Sequence, residues 1–250
     1  MKGKIHTGRT DVVATARREG HLEMNAMETR PSARPLYPVP EASRYARAKT
    51  SNVRRWLSGY DVSRRHYPPL LEPPVQRPQG DLALSFENLI EIALVTALRG
   101  SGISLQTVRE AHQIAMREFG EHPFARRDVF VSGTDIFMKA SELVEGEVEH
   151  LTALTRGGQR AFEPVLRTYL SRIDWDNDWP VQWRPRDGGV VLQNPEIVFG
   201  LPNVRGVRTE VIRARFEADE SFDFIADDFG LSPDEVQAAL RYEFWLRPAA

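Results

Sequence analysis

The sequence contains no cysteine. Disulfides, thiolate catalysis and zinc sites built on sulfur are excluded, as fits a reducing compartment. No apolar run approaches the roughly 18 residues that would suggest a membrane span. The residues around Lys2, Lys4 and Arg9 lack the apolar core of a signal peptide. A cytoplasmic chain without a membrane partner is expected. The six histidines (His6, His21, His66, His112, His122 and His150) show neither a metal-ligand spacing nor a base–nucleophile pairing. There is no glycine-rich phosphate loop, since Gly157-Gly158 and Gly188-Gly189 read as turns. Asp174, Asp176 and Asp178 are spaced loosely like a calcium loop, but Trp179-Pro180 replaces the glycine such a loop needs, so a turn is expected. These absences point away from an enzyme and from any metal or cofactor.

What is present is an ordinary globular composition, 41% hydrophobic and 27% charged, with a net charge of only -2. The small net charge hides an asymmetry. Between residues 30 and 80, Arg30, Arg34, Arg44, Arg47, Lys49, Arg54, Arg55, Arg64, Arg65 and Arg77 face only Glu41, Asp61 and Glu72. Residues 217–235 instead carry Glu217, Asp219, Glu220, Asp223, Asp227, Asp228, Asp234 and Glu235 with no Lys or Arg. One end is suited to a polyanion, and the other is suited to a basic partner.

Four segments follow from composition and periodicity. Residues 1–34 have no apolar period and read as a disordered arm. Residues 35–80 form a basic two-helix unit and a connector, extended because of Pro68, Pro69, Pro73, Pro74 and Pro78. Residues 81–178 form a helical middle, suited to dimerisation. Within it, residues 85–98 predict a helix apolar nearly all round, and Ser104 caps a second helix ending at Gly120. A short hairpin is expected from 129–131 and 136–138, then a helix over 161–173. Residues 179–250 open on two runs that can pair as strands, 181–183 and 190–192. Three helices follow over 209–217, 221–229 and 232–245, with Phe222, Ile225, Ala226, Val236, Ala239, Leu240 and Phe244 facing inward. The fold class expected is α+β and mostly helical, with an N-terminal winged helix-turn-helix and a small C-terminal helix-turn-helix-like domain.

The basic unit can be read residue by residue. Val39, Ala42, Tyr45 and Ala46 share one helical face, with Pro40 in the first turn. Thr50 or Ser51 caps a second helix whose Val53, Trp56 and Leu57 face inward, Trp56 belonging to the core rather than to base stacking. Lys49, Thr50, Ser51, Asn52, Arg54 and Arg55 are left to face a groove. Arg can grip guanine and Asn can pair with adenine. Beyond Gly59, residues 60–67 form a wing whose Arg64 and Arg65 reach phosphates. The run Val53-Arg-Arg-Trp-Leu-Ser-Gly-Tyr60 resembles MerR-like winged helix-turn-helix proteins.

A second resemblance lies at the other end. The Gly-x-Pro-x-Val-x-Gly-x-Arg-Thr run of residues 200–209, with Asp228-Phe-Gly-Leu231 and Ala239-Leu-Arg-Tyr-Glu243, is similar to a small helix-turn-helix-like family of unknown function associated with VapB-type antitoxins. His122-Pro-Phe-Ala125 and Ser132-Gly-Thr-Asp-Ile-Phe137 resemble its long members, which carry a MerR-like unit. The resemblance implies a homodimer that represses its own operon and silences a PIN-like ribonuclease toxin. The acidic stretch assigns DNA to the first unit and the toxin to the last. There Arg241, Tyr242, Phe244, Trp245 and Arg247 are of the residue types that anchor interfaces. Arg241 or Arg247 is suited to engage the toxin's acidic metal ligands and so block magnesium. Two other readings stand beside this one: a regulator without a toxin, and a nuclease using Asp227 and Asp228.

Overall fold

The most apolar stretch of the chain forms the spine of the fold, which is α+β and mostly helical. In the computed structural model, describing residues 30–72, 75–76, 82–129, 135–136, 163–186 and 189–247, this stretch is a helix spanning Phe86–Gly100. Ser85 and Asn88 start it with a reciprocal capping box, the Asn88 amide donating to Ser85 Oγ at 3.1 Å and the Ser85 amide to Asn88 Oδ1 at 3.0 Å. Every residue from Phe86 to Val95 is buried, because other elements cover the helix on all sides.

The elements run as follows. β1 (Tyr37–Pro38) leads into α1 (Val39–Tyr45) and α2 (Thr50–Ser58). β2 (Tyr60–Val62) and β3 (Arg65–Tyr67) make a hairpin, and β4 (Val75–Gln76) and β5 (Leu82–Leu84) precede the central helix, α3. Then come α4 (Leu105–Phe119), α5 (Glu163–Leu170), the hairpin of β6 (Ile173–Asp176) and β7 (Trp179–Trp183), and the small pair β8 (Asn203–Val204) and β9 (Val207–Arg208). The chain closes on α6 (Thr209–Glu217), α7 (Phe222–Phe229) and α8 (Pro233–Leu246). A three-stranded antiparallel sheet of order β1–β5–β4 ties the start of the basic unit to the entrance of α3. One buried cluster extends from Tyr37 through α3 to Leu246.

Two carboxylates lie inside this core. Glu91, fully buried on α3, sits 3.0 Å from His122 Nδ1 and 3.6 Å from His112 Nε2. Glu87, one turn earlier, accepts from Ser32 Oγ at 2.8 Å and Arg30 Nε at 3.2 Å. Burying two charges is costly unless each finds partners, and here cations and hydroxyls from distant segments converge on them.

Several expectations need correction. Residues 30–34, assigned to a disordered arm, include a short 3-10 turn at Pro31–Ala33, anchored by Ser32 and Arg30 on Glu87; residues 1–29 lie outside the described residues. The proline-rich connector is not merely extended: Leu70 and Leu71 are buried, and both amides donate to the Trp56 carbonyl. Val129 and Ile136, expected in a hairpin, are helical; residues 130–134 lie outside the described residues. The helix expected over 161–173 ends at Leu170, because Ile173 pairs with Trp183 instead. Residues 181–183 accordingly take β6 as their main partner rather than 190–192, although Trp183 also bridges Gln193. Asp174 and Asp176 are strand residues, and the turn falls at Asn177-Asp178.

Candidate nucleic-acid interface

α1 and α2 meet through a tight turn. Val39, Ala42, Tyr45, Val53, Trp56 and Leu57 are buried, so the two helices share one apolar seam. Arg47 adopts a positive φ of 52° in the turn, and the Ala48 amide closes it on the Ser43 carbonyl at 2.8 Å. Lys49 caps α2, not Thr50 or Ser51 as expected, and gives it no side-chain cap bond. The outward face of α2 carries Ser51, Asn52, Arg54 and Arg55, all exposed, with exposed Lys49 and half-buried Thr50 at its start.

Gly59 ends α2 at a φ of 73°, and a Cβ there would stand 2.6 Å from the Tyr67 carbonyl oxygen. Only glycine fits that close approach without a shift. The chain then forms the wing, in register Tyr60↔Tyr67, Asp61↔His66 and Val62↔Arg65. Ser63 and Arg64, at positive φ of 47° and 69°, make the tight turn that suits right-twisted strands. The Tyr60 and Tyr67 rings stack at 5.0 Å, and Arg109 of α4 donates to the Pro68 carbonyl at 2.6 Å, fixing the wing's base to the helical body. Arg64 and Arg65 are exposed on the wing. None of Lys49, Arg54, Arg55, Arg64 or Arg65 forms an ion pair among the described residues. The DNA-facing set named from sequence is thus gathered on one helix face and the adjoining wing, free to meet phosphate.

The tail set named for a toxin is spread around α8 instead. Arg241 is exposed and donates to Gln237 at 2.5 Å. Tyr242 is only 1% exposed, so it packs in the core and presents no surface to a partner. Phe244, expected inward, is 46% exposed with the Arg247 guanidinium 4.9 Å over its ring. Glu243 takes the inward position, drawn in by Thr209 Oγ1 at 2.5 Å and Arg213 Nε at 3.5 Å. Trp245 is half-buried, with Arg47 4.7 Å and Arg186 5.8 Å from its ring. Arg247 is exposed and pairs with Glu217 at 2.7 Å. On the neighbouring α7, Phe222, also expected inward, is 38% exposed and stacks on Phe216, while Phe224 is 58% exposed among Asp223, Asp227 and Asp228. Sequence reasoning passed over Phe224 because its partners lie on other helices.

The fold is a winged helix-turn-helix joined to a three-helix C-terminal unit, an arrangement of the helix-turn-helix class. Residues 35–112 match the family described as "Putative DNA-binding HTH domain", and residues 191–242 match the family described as "Protein of unknown function (DUF433)". The chain is 28% identical to a Mycobacterium tuberculosis protein named "Putative antitoxin VapB45", over 82% of this chain and 92% of that protein. The fold superposes on the crystal structure of Rv2018 from Mycobacterium tuberculosis with a TM-score of 0.68 and 26% identity, covering 83% of this chain and 98% of that one. The chain is therefore similar to a protein named as a VapB-type antitoxin, and its N-terminal part matches a helix-turn-helix family, as its motifs implied. Among the described residues, no helix is long and apolar enough to cross a membrane.

Proposed function

We propose that this chain is the antitoxin of a type II toxin–antitoxin pair. It binds operator DNA through α2 and the wing as a homodimer, represses its own operon in the cytoplasm, and neutralises a PIN-like ribonuclease toxin with its C-terminal unit. The division at residues 35–80, 81–178 and 179–250 assigns DNA, dimerisation and toxin to successive segments. The observation that carries the DNA half is the convergence of five cations without ion pairs, Lys49, Arg54, Arg55, Arg64 and Arg65, around exposed Asn52. A phosphate-contacting surface needs cations not already neutralised. Support for the toxin half comes from the relative named as an antitoxin and from a C-terminal face where exposed Phe224 is flanked by Asp223 and Asp227, which carry no ion pair among the described residues and attract a basic partner.

The test is co-expression with the product of the adjacent gene, followed by DNA binding at several salt concentrations. A stable complex, with DNA affinity that falls steeply with salt and is weakened in Arg54→Ala/Arg55→Ala, is the expected result. DNA binding with no partner would leave a stand-alone regulator, and no DNA binding would remove the repressor role.

A further inference from the structure

A groove of about 710 Å³ runs between the basic unit and the C-terminal helices. Its walls carry Arg44 from α1, Arg47 and Lys49 from the α1–α2 turn, and Arg213 and Arg247 from α6 and the end of α8. Thr50, the first residue of α2, opens onto the same groove. Against these five cations stand Glu243 in the groove lining and, paired with its arginines, Glu217 and Glu210, the last 3.9 Å from Arg213. Glu243 is buried and already engaged by Thr209 and Arg213, while Glu217 pairs with both Arg213 and Arg247, at 2.9 and 2.7 Å. Arg44, Arg47 and Lys49 have no ion pair among the described residues.

Five cations against three carboxylates leave the groove net positive, and such a field favours an anion. Arg47 is held beside the groove by Trp245, its guanidinium carbon 4.7 Å from the ring centroid, and it forms no ion pair among the described residues. The positive end of α2 adds to the field, since Lys49 supplies no side-chain cap to its first turn. The groove lies beside the start of α2, off the face that carries Asn52, Arg54 and Arg55. In a helix-turn-helix complex the first helix crosses the sugar-phosphate backbone, and here α1 contributes Arg44 to the groove.

We propose that this groove is a second DNA-contact site, seating a phosphodiester that flanks the bases read by α2, and that the C-terminal unit thereby contributes Arg213 and Arg247 to the footprint. The proposal rests on the DNA reading of α2 and the wing. It assigns Arg247 to DNA rather than to a toxin, and it makes the contact independent of sequence, because only phosphate is touched. Glu217 then acts as a brake, holding Arg213 and Arg247 until phosphate displaces it.

The experiment measures binding of the full chain to a mixed-sequence duplex by fluorescence anisotropy across a salt series. Its variants are Arg247→Gln and Glu217→Gln, both at exposed positions, with thermal melts confirming that each folds. Arg213→Gln is avoided because Arg213 braces buried Glu243. In Arg247→Gln the slope of log K against log salt is expected to shrink by roughly 0.9, the signature of one lost phosphate contact. Glu217→Gln is expected to tighten binding severalfold at low salt, and by more than Asp234→Gln, which removes the same charge away from the groove. If both variants match the wild type while Arg54→Gln/Arg55→Gln loses affinity and slope, the groove is off the footprint and only this inference falls. If the wild type binds no duplex at any salt, the DNA reading falls with it. If polyglutamate binds the wild type and loses affinity in Arg247→Gln while duplex binding is unchanged, the groove serves an acidic polypeptide and the proposal is overturned.

Discussion

The hydroxyl of Tyr37, at the threshold of the helix-turn-helix unit, donates a 2.8 Å hydrogen bond to the carbonyl oxygen of Gly200, 163 residues further along the chain. Gln193 Nε2 donates to the same oxygen at 3.0 Å. Tyr37 is wholly buried, and its neighbours include Tyr45 of α1, ring edge to ring face at 5.9 Å. The start of the DNA-binding segment is therefore held by the loop that opens the C-terminal family region. The two matched families share a buried joint rather than hanging from a tether.

This joint gives a test of how closely the units are fitted. Gly200 has a φ of 75°, and a Cβ on it would come 2.2 Å from Tyr37 Oη and 3.1 Å from Leu36 Cδ1. Gly200→Ala combines backbone strain with overpacking and is expected to cost about 3 kcal/mol or more in urea unfolding. Tyr37→Phe leaves the Gly200 carbonyl satisfied by Gln193, so about 1 kcal/mol is expected. A larger loss from Tyr37→Phe than from Gly200→Ala would show that the steric account is wrong.

Roles within the DNA surface separate by salt dependence and sequence preference. Arg64 and Arg65 on the wing are positioned for phosphate, so Arg64→Ala and Arg65→Ala are each expected to reduce the salt slope by roughly 0.9, with sequence ranking preserved. Asn52 lies on the outward face of α2 and carries no charge. Asn52→Ala is expected to leave the slope intact and to relax preference at one base pair by about 1–3 kcal/mol. Binding titrations against a set of single-base operator variants distinguish the two behaviours.

The buried ion pair of the middle region sets a pH window. Burial pushes the Glu91 carboxyl up, but the adjacent His112 and His122 outweigh it and hold the group at about 2. Burial pushes His122 down, and the hydrogen bond and charge of Glu91, helped by Glu87 and Glu72, outweigh that and raise it to about 9. A depressed carboxylate contributes stability above its ordinary value of 4.5, and loses it as pH falls toward 2. A raised histidine contributes below 6.5 and loses that contribution as pH climbs through 9. Stability from this pair is therefore full between 4.5 and 6.5 and declines on both sides. NMR titration of the His122 ring is expected to show it protonated well above neutrality. Glu91→Gln is expected to remove the alkaline decline, because without the Glu91 carboxylate burial favours the neutral His122 ring, and to cost stability through the lost pair.

The elements readable in the sequence are those whose signals are local. Ser104 bonds the Thr107 amide, and Ser232 and Glu235 form a capping box, so α4 and α8 begin where their caps place them. Gly59 likewise ends α2 where the sequence places the start of the wing. What stayed hidden depends on distant partners. Glu87 and Glu91 were inconspicuous inside an apolar helix until Arg30, Ser32, His112 and His122 arrived from elsewhere. Arg213 gave no sign of sharing a groove with Arg47, because only tertiary packing brings α6 beside the α1–α2 turn. Tyr242 and Phe244 exchanged their expected surroundings for the same reason: the buried side of α8 is set by Glu243 and its ties to α6.

The proposed toxin surface makes the final prediction. Two sets of residues compete for it, the tail with Arg241 and Phe244, and α7 with Phe224, Asp223 and Asp227. Phe224 is the more exposed of the two phenylalanines, at 58% against 46%, and Arg215 lies 5.5 Å over its ring while pairing with Glu220 and Asp228. An aromatic braced in this way and flanked by unpaired acid is a natural anchor for a basic partner, the acid steering encounter and the ring slowing escape. Phe224→Ala is expected to raise the dissociation rate of the co-purified complex by an amount worth about 2 kcal/mol. Asp223→Asn/Asp227→Asn is expected mainly to lower the association rate and its salt dependence. Surface plasmon resonance of each variant reads both rates. If Arg241→Ala and Phe244→Ala abolish the complex while all α7 variants bind normally, the partner sits on the tail and α7 is only a solvated acidic face.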